Sequence, residues 1–167
     1  QALLGGLLSG LEVEELRKLQ WADVDLETGA IRTGNTHQRT VTLSNEVRQL
    51  FQNHADHKSE PGVFVWDSSN QEPYSTAAID ALVNSAAHQA GVPAAEDIGA
   101  ETLRSTYIAF LARQGVRRDL LEQTVGRLSQ PMQDSIQMLS PPGANEDLQT
   151  IQRVYPALRA KAGSPGS

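Results

Sequence analysis

The chain has 167 residues, of which 39% are hydrophobic and 20% are charged, and these values are typical of one soluble globular domain. It contains no cysteine, which excludes a disulfide framework and thiolate metal sites and agrees with a reducing, cytoplasmic location. No apolar run approaches the roughly 20 residues that a membrane span needs. The net charge of −6 argues against strong duplex-DNA binding by this chain alone, because such binding usually relies on Lys and Arg.

The first part of the chain predicts two short helices followed by a small sheet. Apolar residues recur at helical spacing over residues 3–20, and Ser9-Gly10 separates a first helix from a second one at about 11–19. Residues 23–29 form a polar turn cluster. Short runs with the composition of strands follow at 30–32, 40–43 and 63–66, and the polar loop 33–39 joins the first two.

The remainder of the chain predicts helices that end at glycine or proline. Ser44 and Ser75 are suited to cap the N-termini of two helices, and Gly91 and Gly115 to end the second and a third. Further helices are predicted at Arg118–Val125, 131–139 and 146–160, the last kinked by Pro156. The sequence therefore predicts a mainly α domain with a small antiparallel β-sheet over residues 1–161, followed by a flexible tail at 162–167.

Residues 8–26 contain a dense motif. The residues that define it are Gly10, Leu11, Glu15, Leu16, Leu19, Trp21, Asp23, Val24 and Asp25. It resembles the first signature of the tyrosine recombinases, the phage-integrase family, which is roughly small-Gly-Leu-Arg-x-x-Glu-Leu-x-x-Leu-x-Trp-x-Asp-Ile-Asp. Residues 27–32 and 39–44 resemble the β-hairpin that follows in the family. The resemblance extends over nearly the whole chain, in the family's order and spacing.

A second motif, Glu101-Thr-Leu-Arg-Ser-Thr-Tyr107, is similar to the family's His-x-Leu-Arg-His-Thr-Phe, and residues 125–128 resemble its Leu-Gly-His stretch. The resemblance implies the fold of a recombinase catalytic domain, with DNA as a partner and no cofactor. It also leads us to expect that the chain is a fragment without the upstream core-binding domain. Family members cleave DNA by attack of a tyrosine hydroxyl on a phosphodiester, assisted by cations and by an acid for the leaving oxygen.

By this resemblance, carboxylates occupy positions where the family has cations. The first family arginine falls on Glu12, and the first histidine of the second motif falls on Glu101, while Arg104 is retained. Glu12 has two interpretations: a reversal of charge at the phosphate site, or an acidic first-turn residue that the helix dipole favours. Arg104 likewise has two: a phosphate contact, or an ion pair with Glu12 or Glu101.

The hairpin lysine that serves the family as general acid has no counterpart in the loop 33–39. His37 in that loop is a proton donor in one interpretation and a solvated loop residue in the other. Arg127 takes the place of the histidine or tryptophan that follows the family's glycine. It is either a phosphate contact or a surface residue.

The helix predicted at 131–139 should carry the nucleophile, and it contains no tyrosine. Ile136 is the residue that we align with the missing tyrosine. Tyr155 is the later tyrosine that a divergent enzyme could use, and we expect it on the final helix. Tyr107 matches an aromatic packing position of the family and is predicted to lie in the core.

Other cationic and histidine residues are weaker candidates. The arginines and the histidine that we single out for DNA contacts are Arg39, Arg104, Arg117, Arg118, Arg127 and His37. His54-x-x-His57 has helical spacing for two metal ligands but lacks an evident third ligand, so no metal site is predicted.

Three functions follow from these observations. The first is a catalytically inactive integrase-like domain that acts in DNA binding or in recombinase-type assembly, in which the predicted helix 146–160 docks onto another subunit. The second is a divergent but active site-specific recombinase. The third is a protein-interaction module without a nucleic-acid role, which the acidic composition favours.

Overall fold

The computed structural model describes residues 1–33, 38–55, 62–67 and 72–159. It confirms a mainly helical chain with a small antiparallel sheet. The α-helices are α1 (Ala2–Leu7), α2 (Val13–Lys18), α3 (Asn45–Ala55), α4 (Thr76–Gln89), α5 (Ala100–Arg113), α6 (Arg118–Val125) and α7 (Gln130–Leu139). Short 3-10 helices cover Trp21–Asp23, Ala95–Asp97 and Pro156–Leu158. Among the described residues, no helix has both the length and the hydropathy that crossing a membrane requires.

The sheet has three strands, β1 (Val24–Asp25), β2 (Ala30–Thr33) and β3 (Arg39–Thr42), in the order β1-β2-β3. Both pairings are antiparallel, and Ile31 lies opposite Val24 on one side and Val41 on the other. Ile31 and Val41 are buried, which fixes the register because a shift by one residue would turn both side chains to the opposite face.

Two predictions about the sheet were wrong. Residues 24–25, predicted as part of a turn, form the first strand, and the turn itself is held by the Asp25 carboxylate, which accepts hydrogen bonds from Glu27 and Thr28. Residues 63–66 form no strand and make an isolated bridge between Gln20 and Phe64. Two backbone hydrogen bonds hold this bridge, from Trp21 N–H to the Val63 carbonyl and from Val65 N–H to the Leu19 carbonyl. Only two residues, 19 and 20, separate the end of α2 from the 3-10 helix, which leaves no room for a longer strand.

The apolar side chains form two adjoining clusters. The first lies between α1, α2, the sheet, α3 and α4, and Phe51, Leu16 and Ile79 are fully buried in it. The second lies between α5, α6 and α7, and contains Ile108 and Leu121. Leu103 and Leu158 pack against both clusters, so α5 and the short 3-10 helix Pro156–Leu158 join the two halves.

The predicted helix ends are confirmed where local chemistry determines them. The hydroxyl oxygens of Ser44 and Ser75 accept hydrogen bonds from the backbone N–H groups of Val47 and Ala78, at 3.3 and 3.1 Å. Gly115, just beyond α5, has a φ of +84°, a conformation that favours glycine.

The prediction of a helix at 146–160 was wrong. The described part of that segment, which ends at residue 159, is irregular apart from the 3-10 helix Pro156–Leu158. The backbone of this segment forms hydrogen bonds with a distant side chain. The Gln114 side-chain amide donates to the Gln152 carbonyl and accepts from the Gln152 N–H, both at 2.8 Å. Pro156 has no N–H for a helix and would clash with the preceding turn. Leu148, Ile151 and Tyr155 pack against the second cluster of the same chain. The predicted tail at 162–167 lies outside the described residues.

Candidate active site

Arg104 is the centre of the site that the two motifs form. It lies on α5 with its side chain only 7% exposed. One terminal nitrogen donates to Glu101 Oε1 at 3.2 Å. The other donates to Glu12 Oε1 at 3.3 Å and to the Val125 carbonyl at 2.8 Å. The ion-pair interpretation of Arg104 is therefore the arrangement that the structure contains, and it involves both carboxylates.

Glu12 reaches Arg104 from the start of α2, where the chain leaves the turn after α1. Its N–H donates to Glu15 Oε2 at 2.8 Å, which anchors the first turn of that helix. On the other side it meets Gly126, because a Cβ atom built on that glycine would lie 2.6 Å from Glu12 Oε1. The glycine after α6 therefore leaves the space that the Glu12 carboxylate occupies.

Arg39, at the start of β3, is enclosed in the same region and is 11% exposed. Its guanidinium donates to the Glu15 carboxylate, with Nε 3.0 Å from Oε1, and to the Gly10 carbonyl at 3.0 Å. It also donates to the carbonyl of Thr124. Arg39, predicted as a DNA contact, thus uses its donors to join β3 to the turn before α2 and to the end of α6.

Three carboxylates therefore surround two guanidinium groups at this site, those of Glu12, Glu15, Glu101, Arg39 and Arg104. Burial raises the pKa of Glu12, and this effect outweighs the attraction of Arg104. The neighbouring Glu15 and Glu101 raise the pKa further. With all five groups ionised, the three carboxylates and two guanidinium groups carry a net charge of −1 (−3 + 2).

The raised pKa of Glu12 predicts a pH-dependent effect of Glu12→Gln. The folded state holds the Glu12 proton more tightly than the unfolded state, so the stability contributed by this group is present below about pH 4.5 and is lost as the pH rises through its folded pKa. Relative to wild type, Glu12→Gln should therefore gain stability between pH 4 and pH 7, as measured by urea unfolding.

Glu14→Gln provides a control of opposite sign for this experiment. The hydrogen bond from Arg17 lowers the pKa of Glu14, so wild type gains stability from this group as the pH rises. Relative to wild type, the Glu14 variant should lose stability as the pH rises to about 4.5 and change little above that pH, where the Glu12 variant gains stability. Parallel behaviour of the two variants would contradict the assignment of a raised pKa to Glu12.

The position aligned with the nucleophile is apolar. Ile136, on α7, is 6% exposed and belongs to the second hydrophobic cluster. Tyr155 precedes the 3-10 helix Pro156–Leu158, and its ring meets that of Phe110 edge-on at 5.4 Å. Phe110 is six residues beyond Arg104 on α5, which corresponds to about 9 Å along the helix. The tyrosine proposed for a divergent enzyme therefore packs against a different part of α5.

Tyr107 is a core residue, as predicted. Its ring is buried, and its hydroxyl donates to the Arg153 carbonyl at 3.0 Å. Burial raises its pKa, which favours the neutral phenol.

Three further arginine candidates, which the structure describes, lie outside this cluster of contacts. Arg127 is exposed and makes no hydrogen bond or ion pair with the part of the chain that the structure describes. Arg117 pairs with Asp119 at 2.6 Å, and Arg118 lies 3.8 Å from Glu122. His37 falls outside the described residues.

The histidine pair gives no support to a metal site. His54 Nε2 hydrogen-bonds to the Val65 carbonyl at 2.9 Å, and the imidazole stacks on Trp66. His57 lies outside the described residues. Over residues 1–33, 38–55, 62–67 and 72–159, no group of three or more His, Asp or Glu side chains could hold a metal ion.

The sequence did not indicate the pairing of Arg39 with Glu15. Glu15 matched the first motif without an assigned partner, and the two residues are 24 positions apart. Only the approach of β3 to the start of α2 brings them together.

Comparison with known proteins agrees with these observations. The model of the phage integrase family matches residues 4–132. No curated protein sequence matches the chain. The crystal structure of XerA recombinase is similar with a TM-score of 0.69 and 20% identity, over 83% of this chain and 52% of that one.

Two further similar structures contain DNA. XerH recombinase bound to its difH substrate has a TM-score of 0.66 and 17% identity, over 83% of this chain and 41% of that one. The Tn1549 transposon integrase in complex with circular intermediate DNA has a TM-score of 0.64 and 19% identity, over 81% of this chain and 52% of that one. This chain thus spans about half the length of these proteins or less. By its family match, it belongs to the phage integrase family, and its fold is that of tyrosine recombinase catalytic domains.

Proposed function

We propose that this chain is a recombinase-type domain that binds within a DNA–recombinase assembly without cleaving the DNA. The observation that carries this proposal is the state of Arg104, which donates to Glu12, Glu101 and the Val125 carbonyl. Two carboxylates offset the positive charge of this guanidinium, and its Nε is buried without a hydrogen-bond partner. Arg104 in this state is therefore poorly suited to stabilise the charge that develops on a phosphate during cleavage.

The chemistry of strand cleavage supports the same proposal. Removing one preorganised donor from a transition state typically costs about 2.7–4 kcal/mol, and placing a carboxylate there adds repulsion. At the position aligned with the nucleophile, Ile136 offers no hydroxyl and is buried among apolar side chains. Among the described residues, the groups that accept hydrogen bonds from Arg104 are two carboxylates and a backbone carbonyl, and none is a histidine or a lysine that could protonate the leaving oxygen.

DNA is the partner that we propose, because the XerH and Tn1549 structures that share this fold were determined with DNA. Arg127 lies next to the site, is exposed, and has no polar partner among the described residues, so it is the proposed phosphate contact. The net charge of −6 opposes binding. Affinity for duplex DNA should therefore be weak and should decrease steeply as salt increases.

The proposal predicts binding without covalent capture. A pool of randomised duplexes with a nick should be retained by the chain at low salt in a gel-shift assay, while denaturing gels show no covalent protein–DNA band. Tyr155→Phe should behave as wild type in both assays. A covalent band that disappears in Tyr155→Phe would establish the divergent recombinase instead.

The gel-shift result also distinguishes the DNA-binding domain from the protein-interaction module, which is the remaining alternative. Absence of DNA retention even at low salt would contradict the DNA partner and favour the protein-interaction module, which the acidity of the chain supports. Arg127→Gln is expected to weaken retention and to reduce the dependence on salt by about one phosphate contact. Arg113→Gln is the matched control, since Arg113 is also exposed and lies at the end of α5.

A further inference from the structure

Two neighbouring cavities, of about 170 and 220 Å³, share the lining residues Ser9, Thr42 and Arg153. We call the two together the polar pocket. Its walls are formed by the turn after α1, the strand β3, the end of α6 and residues of the irregular segment 148–158. The pocket does not include Arg104, Glu12 or Glu101.

The lining of the polar pocket is positive and rich in hydroxyl groups. Arg153 is the one charged side chain among its lining residues, and none of them is a carboxylate. Thr40 and Thr42 are exposed and lie on the same side of β3, because alternate residues of a strand point to one face. A pocket that contains an arginine and no carboxylate attracts anions, even though the chain as a whole is acidic.

The donors of this pocket are free to bind a ligand. Arg153, Thr40, Thr42 and Gln123 use no side-chain hydrogen bond or ion pair within the described residues. Most other arginines of the described ranges already form a hydrogen bond or an ion pair, as Arg39 does with Glu15. A phosphate accepts hydrogen bonds from a guanidinium and from hydroxyl groups, and a charged donor makes these bonds strong.

We propose that the polar pocket binds a small free phosphate or phosphomonoester, with Arg153 as its cationic contact and Thr40, Thr42 and Gln123 as further donors. A phosphate of the DNA backbone has the same chemistry. The segment 148–158 contributes lining residues to both cavities and packs on the second hydrophobic cluster through Leu148 and Tyr155. Cavities of about 170 and 220 Å³ suit a phosphate or a phosphomonoester, which is why we propose the free ligand.

An NMR titration of the complete chain with inorganic phosphate, at constant ionic strength, tests the proposal. The backbone amide signals of Ser9, Thr42 and Arg153 should shift and saturate. Arg153→Gln should weaken phosphate binding by about tenfold or more, because it removes the charge-assisted hydrogen bonds of the guanidinium. The substitution leaves the Arg153 carbonyl, which accepts from Tyr107, in place.

Arg159→Gln is the matched control, since Arg159 is exposed in the same segment and does not line the pocket. It should bind phosphate as wild type does. Equal weakening in both variants, shifts that do not saturate, or shifts confined to other residues such as Arg127 would overturn the proposal. A short DNA duplex should leave the Ser9 and Thr42 signals unchanged. If the duplex shifts them and displaces phosphate, the ligand is the DNA backbone and the free-phosphate assignment is wrong.

Discussion

Arg104→Ala is expected to lower the free energy of unfolding by about 3 kcal/mol, the lower end of the range for breaking a buried ion pair. The Arg104 side chain is 7% exposed, and removing it leaves the Glu12 carboxylate without its nearest positive charge. The lower end of the range applies because the Glu12 side chain is 36% exposed and water can partly solvate it. Urea unfolding with a two-state fit would measure the change.

The control for Arg104→Ala is Arg113→Ala on the same helix. Arg113 is exposed, so its substitution should change stability by about 0.5 kcal/mol or less. In the Glu12→Gln background, Arg104→Ala should cost less than in wild type, because the uncompensated carboxylate has been removed. Equal costs of Arg104→Ala in the two backgrounds would show that the Glu12–Arg104 pair contributes nothing to folding.

The same ion pair shows what the sequence could predict. Two motifs placed Glu12, Glu101 and Arg104 in one site and left open whether the arginine binds phosphate or carboxylates. The distance and burial of these side chains, which depend on how α2 packs near α5, are not encoded in any local pattern. Helix ends were predictable at Ser44 and Ser75 because a serine side chain caps the helix that it precedes.

In the segment 146–159, by contrast, the local sequence pattern predicted the wrong secondary structure. Apolar residues at suitable spacing predicted a helix there, but their partners are the second cluster and the Gln114 amide, more than 30 residues earlier in the chain. Tertiary contacts therefore satisfied the apolar side chains and part of the backbone without a helix. Long-range contacts of this kind cannot be obtained from the spacing of residues alone. For the same reason, the packing of Tyr155 against Phe110 was not predicted.

Gly126→Ala is expected to destabilise the chain by about 2 kcal/mol or more, through two effects. Gly126 has a φ of +82° and a ψ of −167°, a conformation that is essentially restricted to glycine. In addition, the new Cβ atom would lie 2.6 Å from Glu12 Oε1, so the carboxylate must move. This movement should weaken its contact with Arg104, which is 3.3 Å away before the substitution.

Gly91→Ala separates the two effects. Gly91 also has a positive φ, of +66°, but a Cβ atom there meets nothing within 4 Å, so only backbone strain of about 1 kcal/mol is expected. In a Glu12→Ala background, Gly126→Ala should lose the part of its cost that comes from the displaced carboxylate, while the cost of Gly91→Ala should stay constant. If Gly126→Ala costs the same with and without Glu12, the carboxylate does not occupy the space beside Gly126, and the close contact between the two signature motifs is not as described.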